Sequence, residues 1–94
     1  MAIYFDNNAS THIDQRVFEV MKPCLTGPYG NASSLHRFGR DARDAIDAAR
    51  QQVADLVAVQ PTQVVFTSGG TESNNMAIQG VARNKPGSRI LISA

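Results

Sequence analysis

The sequence has only one cysteine and almost no net charge, and each of these features excludes particular kinds of site or binding partner. A single thiol in 94 residues excludes an internal disulfide and a cysteine-rich zinc site. Nine Lys and Arg against eight Asp and Glu leave a net charge of +1, which gives no field that would attract nucleic acid or an anionic membrane. No apolar run approaches the length of a membrane span, and residues 1–8 show no secretory signal. We therefore expect a soluble, cytoplasmic protein with no nucleic-acid or membrane partner.

The rest of the composition is that of a small globular domain. Hydrophobic residues make up 43% of the chain and charged residues 18%, which argues against a disordered tail. A chain of 94 residues buries a smaller share of its surface than a full-sized enzyme does. We expect one domain at most, with a modest core.

Hydrophobic periodicity predicts two helices in the first part of the chain. Asp14 is a favourable N-cap for the first helix, which Pro23 should kink or end. A loop is predicted over residues 26–31. An apolar stripe from Leu35 to Val57 at helical spacing predicts a long second helix, with Ser33 or Ser34 as its cap.

The last third of the chain predicts an α/β arrangement. The apolar runs 64–67 and 89–93 are typical of buried strands, and a third helix lies between them, capped by Thr71 and closed by residues 84–87. A strand, a glycine turn, a helix and a second strand form a βαβ-like unit. Because so few strands cannot make a parallel sheet that is covered on both faces, we expect an incomplete sheet and a piece of a longer chain. A natural domain of this length is the alternative.

Residues 66–75 carry the most informative motif, a glycine turn that opens the third helix. Backbone N–H groups at a helix N-terminus lack carbonyl partners and lie at the positive end of the helix dipole. The glycines allow an anion to approach, and the hydroxyls of Ser68 and Thr71 can add donors, so a phosphate site is one interpretation. An ordinary strand-to-helix turn is the other.

The remaining polar residues give weaker indications. Residues 6–11 and 31–36 are dense in short polar side chains, which favour turns and also line polar pockets. His36, near a helix start, fits a hydrogen-bonding role better than a catalytic one, and His12 has no partner at metal-ligand spacing. Cys24 lies at the wrong end of its helix for a nucleophile, so we expect a partly buried core thiol.

Three segments taken together resemble the cysteine desulfurases, pyridoxal-phosphate enzymes of the class V aminotransferase family. The segments are DNNAST at 6–11, GNASSLHRFG at 30–39 and VFTSGGTESNN at 65–75. The resemblance covers essentially the whole chain. It implies the N-terminal part of a fold-type-I transferase with a three-layer α/β/α large domain. Residues 1–13 would be an N-terminal segment, and residues 14–94 the start of the domain that binds pyridoxal phosphate.

The resemblance also implies a reaction and its partners. Desulfurases convert L-cysteine to L-alanine and place the sulfur on an enzyme cysteine as a persulfide, for iron–sulfur cluster and sulfur-cofactor assembly. Gly70 and Thr71 match the positions that contact the cofactor phosphate. Such enzymes are homodimers, and they pass sulfur to an acceptor or an iron–sulfur scaffold protein.

The chain departs from the family pattern at two motif positions and, more seriously, in having no match to the family's catalytic residues. Ser10 stands where the family often has Thr, and Ala32 where it often has Pro. Neither lysine of the chain, Lys22 or Lys85, matches the Schiff-base lysine of the family, and Cys24 does not match the persulfide cysteine. No catalytic residue and no metal ligand is therefore assigned. We expect the 94 residues alone to be inactive. The alternatives are another class V enzyme, such as a selenocysteine lyase or an aminotransferase, or a non-catalytic remnant that binds a phosphate or a partner protein.

Overall fold

A computed structural model describes residues 3–27 and 29–93. It contains three α-helices, α1 at Gln15–Thr26, α2 at Arg37–Val57 and α3 at Gly70–Asn84, and a single 3₁₀ turn at Pro61–Gln63. The chain divides within α2 into two units, Met1–Ala48 and Ala49–Ala94. No helix among the described residues has the length and apolarity that a membrane span requires.

Helix α1 begins where the sequence predicts and ends later. The Asp14 carboxylate accepts the backbone N–H of Arg16 at 2.8 Å, which confirms the predicted N-cap. The helix does not end at Pro23 but continues to Thr26. Pro23 has no N–H to donate to the Glu19 carbonyl, but helical bonding continues after it, since its own carbonyl accepts the Gly27 N–H at 2.8 Å. The predicted loop therefore begins after Thr26, and its Pro28 lies outside the described residues.

Helix α2 begins later than predicted, and neither serine caps it. The Ser33 and Ser34 N–H groups both donate to Asn31, at 2.8 Å to its side chain and 2.9 Å to its carbonyl. These bonds form a turn that delays the helix to Arg37. The residue before it, His36, accepts the Gly39 N–H at Nδ1 at 3.3 Å, as an N-cap side chain does.

The second unit ends α2 with a left-handed residue. Ala58 has φ of 56°, and the N–H of Val59 reaches back to the Ala54 carbonyl at 3.0 Å. This is the bonding pattern of a Schellman motif, which satisfies a carbonyl at the helix end. At the other end of the unit, α3 closes at Asn84 as predicted, and Gly87 takes a positive φ of 81°.

The two predicted strands of the α/β unit are not paired. Among residues 3–27 and 29–93 the structure has no strand. Val64 is extended, with φ −97° and ψ 125°, but an extended segment becomes a strand only when a neighbour completes its ladder of hydrogen bonds. The segments 64–67 and 89–93 form no such ladder with each other.

Few side chains are buried. Ala54 is the only buried hydrophobic residue among those that the structure describes. The stripe predicted for α2 is present on the helix but open, with Phe38 57% and Leu56 84% exposed. The apolar run near the C-terminus is also open, since Leu91 is 92% exposed.

Candidate phosphate site

The glycine turn that opens α3 is the candidate site. Gly69 is the N-cap residue, with an extended backbone at φ 163° and ψ −178°. Its carbonyl accepts the N–H of Ser73 at 3.1 Å, which is the first helical bond. Thr71 is therefore the second residue of the helix, and the prediction that it caps α3 is wrong.

The first turn of α3 leaves donors available. The N–H groups of Gly70 and Thr71 have no carbonyl one turn earlier to accept them. The Thr71 hydroxyl makes no hydrogen bond within the described part of the chain, and the residue is exposed. A Cβ added at Gly69 or Gly70 would meet no atom within 4 Å, so the space beside these N–H groups is open.

This arrangement fits a phosphate group. Open space, two backbone N–H groups and a hydroxyl meet at the positive end of a 15-residue helix, where the helix dipole favours an anion. The residues with these donors are Gly70 and Thr71, the two that the family resemblance singled out.

Ser68 does not add donors to this set, contrary to the sequence-based expectation. Its N–H and its hydroxyl both donate to the Glu72 carboxylate, at 2.7 and 2.6 Å. These two bonds hold the pKa of Glu72 below its usual range, the hydroxyl contributing more than the backbone N–H. Glu72 was not identified from the sequence, although an acidic residue in the first turn is a recognised signal of a helix N-terminus.

Thr67 and Ser73 also went unnoticed in the sequence. Their hydroxyl oxygens lie 2.7 Å apart, and each is 3.2 Å from the Gly69 carbonyl oxygen. Just before them, the Phe66 ring lies under the Arg50 guanidinium, 5.5 Å from the ring centroid. These contacts attach the two residues before the glycine turn to helices of the same unit, Phe66 to the second half of α2 and Thr67 to α3.

The first polar motif forms a turn in the other unit. The Asp6 carbonyl accepts the N–H of Ala9 at 3.0 Å and the N–H of Ser10 at 3.3 Å. The Tyr4 hydroxyl donates to the same carbonyl at 2.9 Å and lies 3.0 Å from the Ser10 hydroxyl. Tyr4 thus secures this turn, a role that sequence spacing did not indicate.

The second polar motif packs against the start of α2. The Arg43 guanidinium donates to the Ala32 carbonyl through Nε at 2.9 Å and Nη2 at 2.6 Å. Gly39 is buried under the same loop. His36 is engaged through Nδ1 in capping α2, which agrees with the hydrogen-bonding role expected of it.

The single thiol lies on a helix, α1, that is open to solvent. Cys24 is exposed, so the expectation of a core thiol is wrong, because α1 buries none of its residues. No group of His, Cys, Asp and Glu within the described residues could hold a metal ion.

Comparison with known proteins identifies close relatives. The family model described as Aminotransferase class-V matches residues 3–94. A cysteine desulfurase IscS from Photobacterium profundum is 52% identical over 97% of this chain. Cysteine desulfurases IscS from Dictyoglomus turgidum and Aeromonas hydrophila are 50% and 54% identical, over 85% and 87% of the chain.

The match covers a limited part of each relative. The aligned region is 24% of the Photobacterium protein, 20% of the Dictyoglomus protein and 21% of the Aeromonas protein. The chain thus spans about a quarter of the length of the curated relatives it matches. No solved structure gives a significant match.

Proposed function

Because the chain belongs to the class V aminotransferase family, whose members are fold-type-I pyridoxal-phosphate enzymes, we propose that the protein carrying it is a cysteine desulfurase. The substrate is L-cysteine, the products are L-alanine and an enzyme-bound persulfide, and the sulfur serves iron–sulfur cluster and sulfur-cofactor assembly. The observation that carries the proposal is an identity near 50% to proteins named cysteine desulfurase along almost the whole chain.

The proposed contribution of this chain is the binding of the cofactor phosphate. Gly70 and Thr71 donate their backbone N–H groups, and Thr71 adds its hydroxyl. The α3 dipole favours the phosphate charge at the same point. Pyridoxal phosphate, when bound, supplies the electron sink for the chemistry, and the protein orients it.

The wider organisation is part of the same proposal. Residues 1–13 form an N-terminal segment, and residues 14–94 begin the large domain, in which the segments 64–67 and 89–93 pair as strands. Their apolar side chains and the extended backbone of Val64 support this arrangement. The whole protein is a cytoplasmic homodimer that passes sulfur to an acceptor or a scaffold protein.

The activity can be tested on the whole purified protein. We expect pyridoxal phosphate to be bound and L-cysteine to yield L-alanine and, with a thiol reductant, sulfide. L-selenocysteine run in parallel distinguishes a selenocysteine lyase, and a 2-oxo acid acceptor distinguishes an aminotransferase. Failure to form alanine from L-cysteine would overturn the proposal. The 94-residue chain alone should release no more sulfide than free cofactor does.

The phosphate site can be tested at Thr71. Replacing Thr71 with Val keeps the side-chain shape and removes the hydroxyl, and a lost hydrogen bond to a charged group is worth about 1.5–3 kcal/mol. We therefore expect pyridoxal phosphate to bind the Thr71→Val apoenzyme about tenfold more weakly or worse, measured by absorbance titration. Thr71→Ser, which keeps the hydroxyl, is the control. Equal affinities for the three proteins would exclude this role for Thr71.

A further inference from the structure

The Gly69 carbonyl is held more firmly than an ordinary helix cap. It accepts the Ser73 N–H at 3.1 Å, and the hydroxyls of Thr67 and Ser73 both lie 3.2 Å from it. The two hydroxyls are also 2.7 Å from each other. Since each hydroxyl carries one proton, one donates to the carbonyl, and the other donates either to the carbonyl or to the first hydroxyl.

These contacts to the Gly69 carbonyl determine the direction of the Gly70 N–H. A peptide unit is planar, and in the trans form its N–H and C=O point in opposite directions. The Gly69–Gly70 peptide is trans, and its carbonyl is directed to α3. The Gly70 N–H is therefore directed away from the helix, and a Cβ added at Gly69 or Gly70 would meet no atom within 4 Å.

Two adjacent glycines would not keep this orientation unaided. Glycine has more accessible backbone conformations than any other residue, so a Gly–Gly peptide rotates at little steric cost. The hydroxyls of Thr67 and Ser73 come from residues before and after the glycine pair in the sequence, and both contact the same carbonyl. They restrict the peptide to the orientation in which Gly70 donates outward.

We propose that Thr67 and Ser73 are positioning residues for phosphate binding, which act on the cofactor only through the orientation of the Gly69–Gly70 peptide. The inference rests on the proposed function, since the phosphate is that of pyridoxal phosphate. The two hydroxyls are redundant, because either one alone can still donate to the Gly69 carbonyl.

This redundancy gives a distinctive expectation for the whole protein. We expect Thr67→Val and Ser73→Ala each to weaken pyridoxal-phosphate binding to the apoenzyme less than threefold. The double variant should weaken it at least tenfold, which is more than the product of the single effects. Thr67→Ser combined with Ser73→Ala keeps one hydroxyl and should restore the affinity of the single variant.

The matched control is Ser68→Ala. It removes a hydroxyl from the same turn, but that hydroxyl donates to Glu72 at 2.6 Å and not to the Gly69 carbonyl. Its affinity for pyridoxal phosphate should equal that of the unaltered protein. The ³¹P chemical shift of the bound phosphate, which reports its hydrogen bonds, should change in the double variant and not in Ser68→Ala.

The outcomes separate this inference from the proposed function. If the unaltered protein does not bind pyridoxal phosphate, both fail. If it binds and the double variant binds equally well, or if one single variant already shows the full loss, the positioning role is wrong and the proposed function stands. A lower melting temperature of the double variant with unchanged affinity and ³¹P shift would assign the hydroxyls to folding alone, and would also overturn the inference.

Discussion

Gly39 has almost no room for a side chain. It is buried, and a Cβ built on it would overlap the Ser34 carbonyl oxygen and lie 2.7 Å from the Asn31 carbonyl oxygen. Both obstacles are backbone atoms of the turn that precedes α2, so they cannot move without disturbing that turn. We expect Gly39→Ala to lower the free energy of unfolding of the whole protein by about 1–3 kcal/mol, the usual cost of overpacking, measured by urea denaturation.

The control for this substitution is Gly80→Ala. Gly80 lies inside α3, and a Cβ there would meet no atom within 4 Å. Alanine is the better helix former by about 0.5–1 kcal/mol, so this variant should be slightly more stable than the unaltered protein. A Gly39→Ala protein as stable as the Gly80→Ala protein would contradict the close packing around Gly39.

Glu72 should make the start of α3 sensitive to acid. The hydrogen bonds from Ser68 lower the pKa of Glu72 from its ordinary 4.5. A carboxyl group with a lowered pKa stabilises the folded state fully above its unfolded pKa, and this contribution is lost as pH falls through the lowered value. We expect the Glu72 carboxyl ¹³C resonance to titrate below pH 4.5, and Ser68→Ala to move the midpoint upward. Titration of Glu72 at or above its ordinary pKa would show that the two bonds do not form.

At the scale of the helices, α2 ends on a residue poorly suited to its conformation. Ala58 has φ of 56°, a left-handed conformation that costs an L-residue about 1–2 kcal/mol and that glycine adopts freely. Ala58→Gly should therefore raise the free energy of unfolding by about 1 kcal/mol, measured by urea denaturation, once the greater freedom of glycine in the unfolded chain is allowed for.

The matched control for Ala58, which follows α2, is an alanine inside that helix. Ala48 is exposed and lies in the middle of α2, where glycine is less favourable than alanine by about 1 kcal/mol. The two substitutions should thus change stability in opposite directions. A loss of stability in both variants would show that Ala58 does not take up the left-handed conformation.

The sequence could predict those features of the helices and strands that depend on residues close together in the chain. Asp14 caps α1 through a neighbour two residues away, and the 3.6-residue stripe of α2 lies within one helix, so both were predicted. The cap of α2 was not, because Asn31 engages the serines and leaves the role to His36. Strand pairing could be predicted only as a tendency, since a ladder depends on a second strand that local sequence does not specify.

The same distinction applies to the candidate site. The glycine turn and its position before a helix follow from the order of residues, so Gly70 and Thr71 could be proposed from sequence. The contacts that orient the turn could not, because Thr67 and Ser73 meet only after the chain has reversed around Gly69. Ser68 looked like an available donor for the same reason, since its bond to Glu72 forms only in the folded turn.

The whole molecule combines well-formed helices with very little buried apolar surface. The helices depend on local hydrogen bonds and caps, which the chain supplies, whereas a core requires apolar faces that cover one another. Within the described residues Ala54 is the only hydrophobic residue fully covered, and Phe5, Leu35 and Ile92 are each more than 80% exposed. Burial of apolar area is the main source of folding free energy, so the 94 residues have little tertiary stabilisation of their own.

This exposure predicts how the 94-residue chain behaves when it is made alone. Large contiguous apolar surfaces promote association, and unfolding without a shared core is not cooperative. We expect strong binding of a hydrophobic dye, a mass by light scattering that rises with concentration, and a helical signal that melts gradually. The whole protein, in which we propose that these faces are covered, should bind little dye and melt sharply. A monomeric 94-residue chain with a sharp melting transition would show that the apolar faces cover one another in solution.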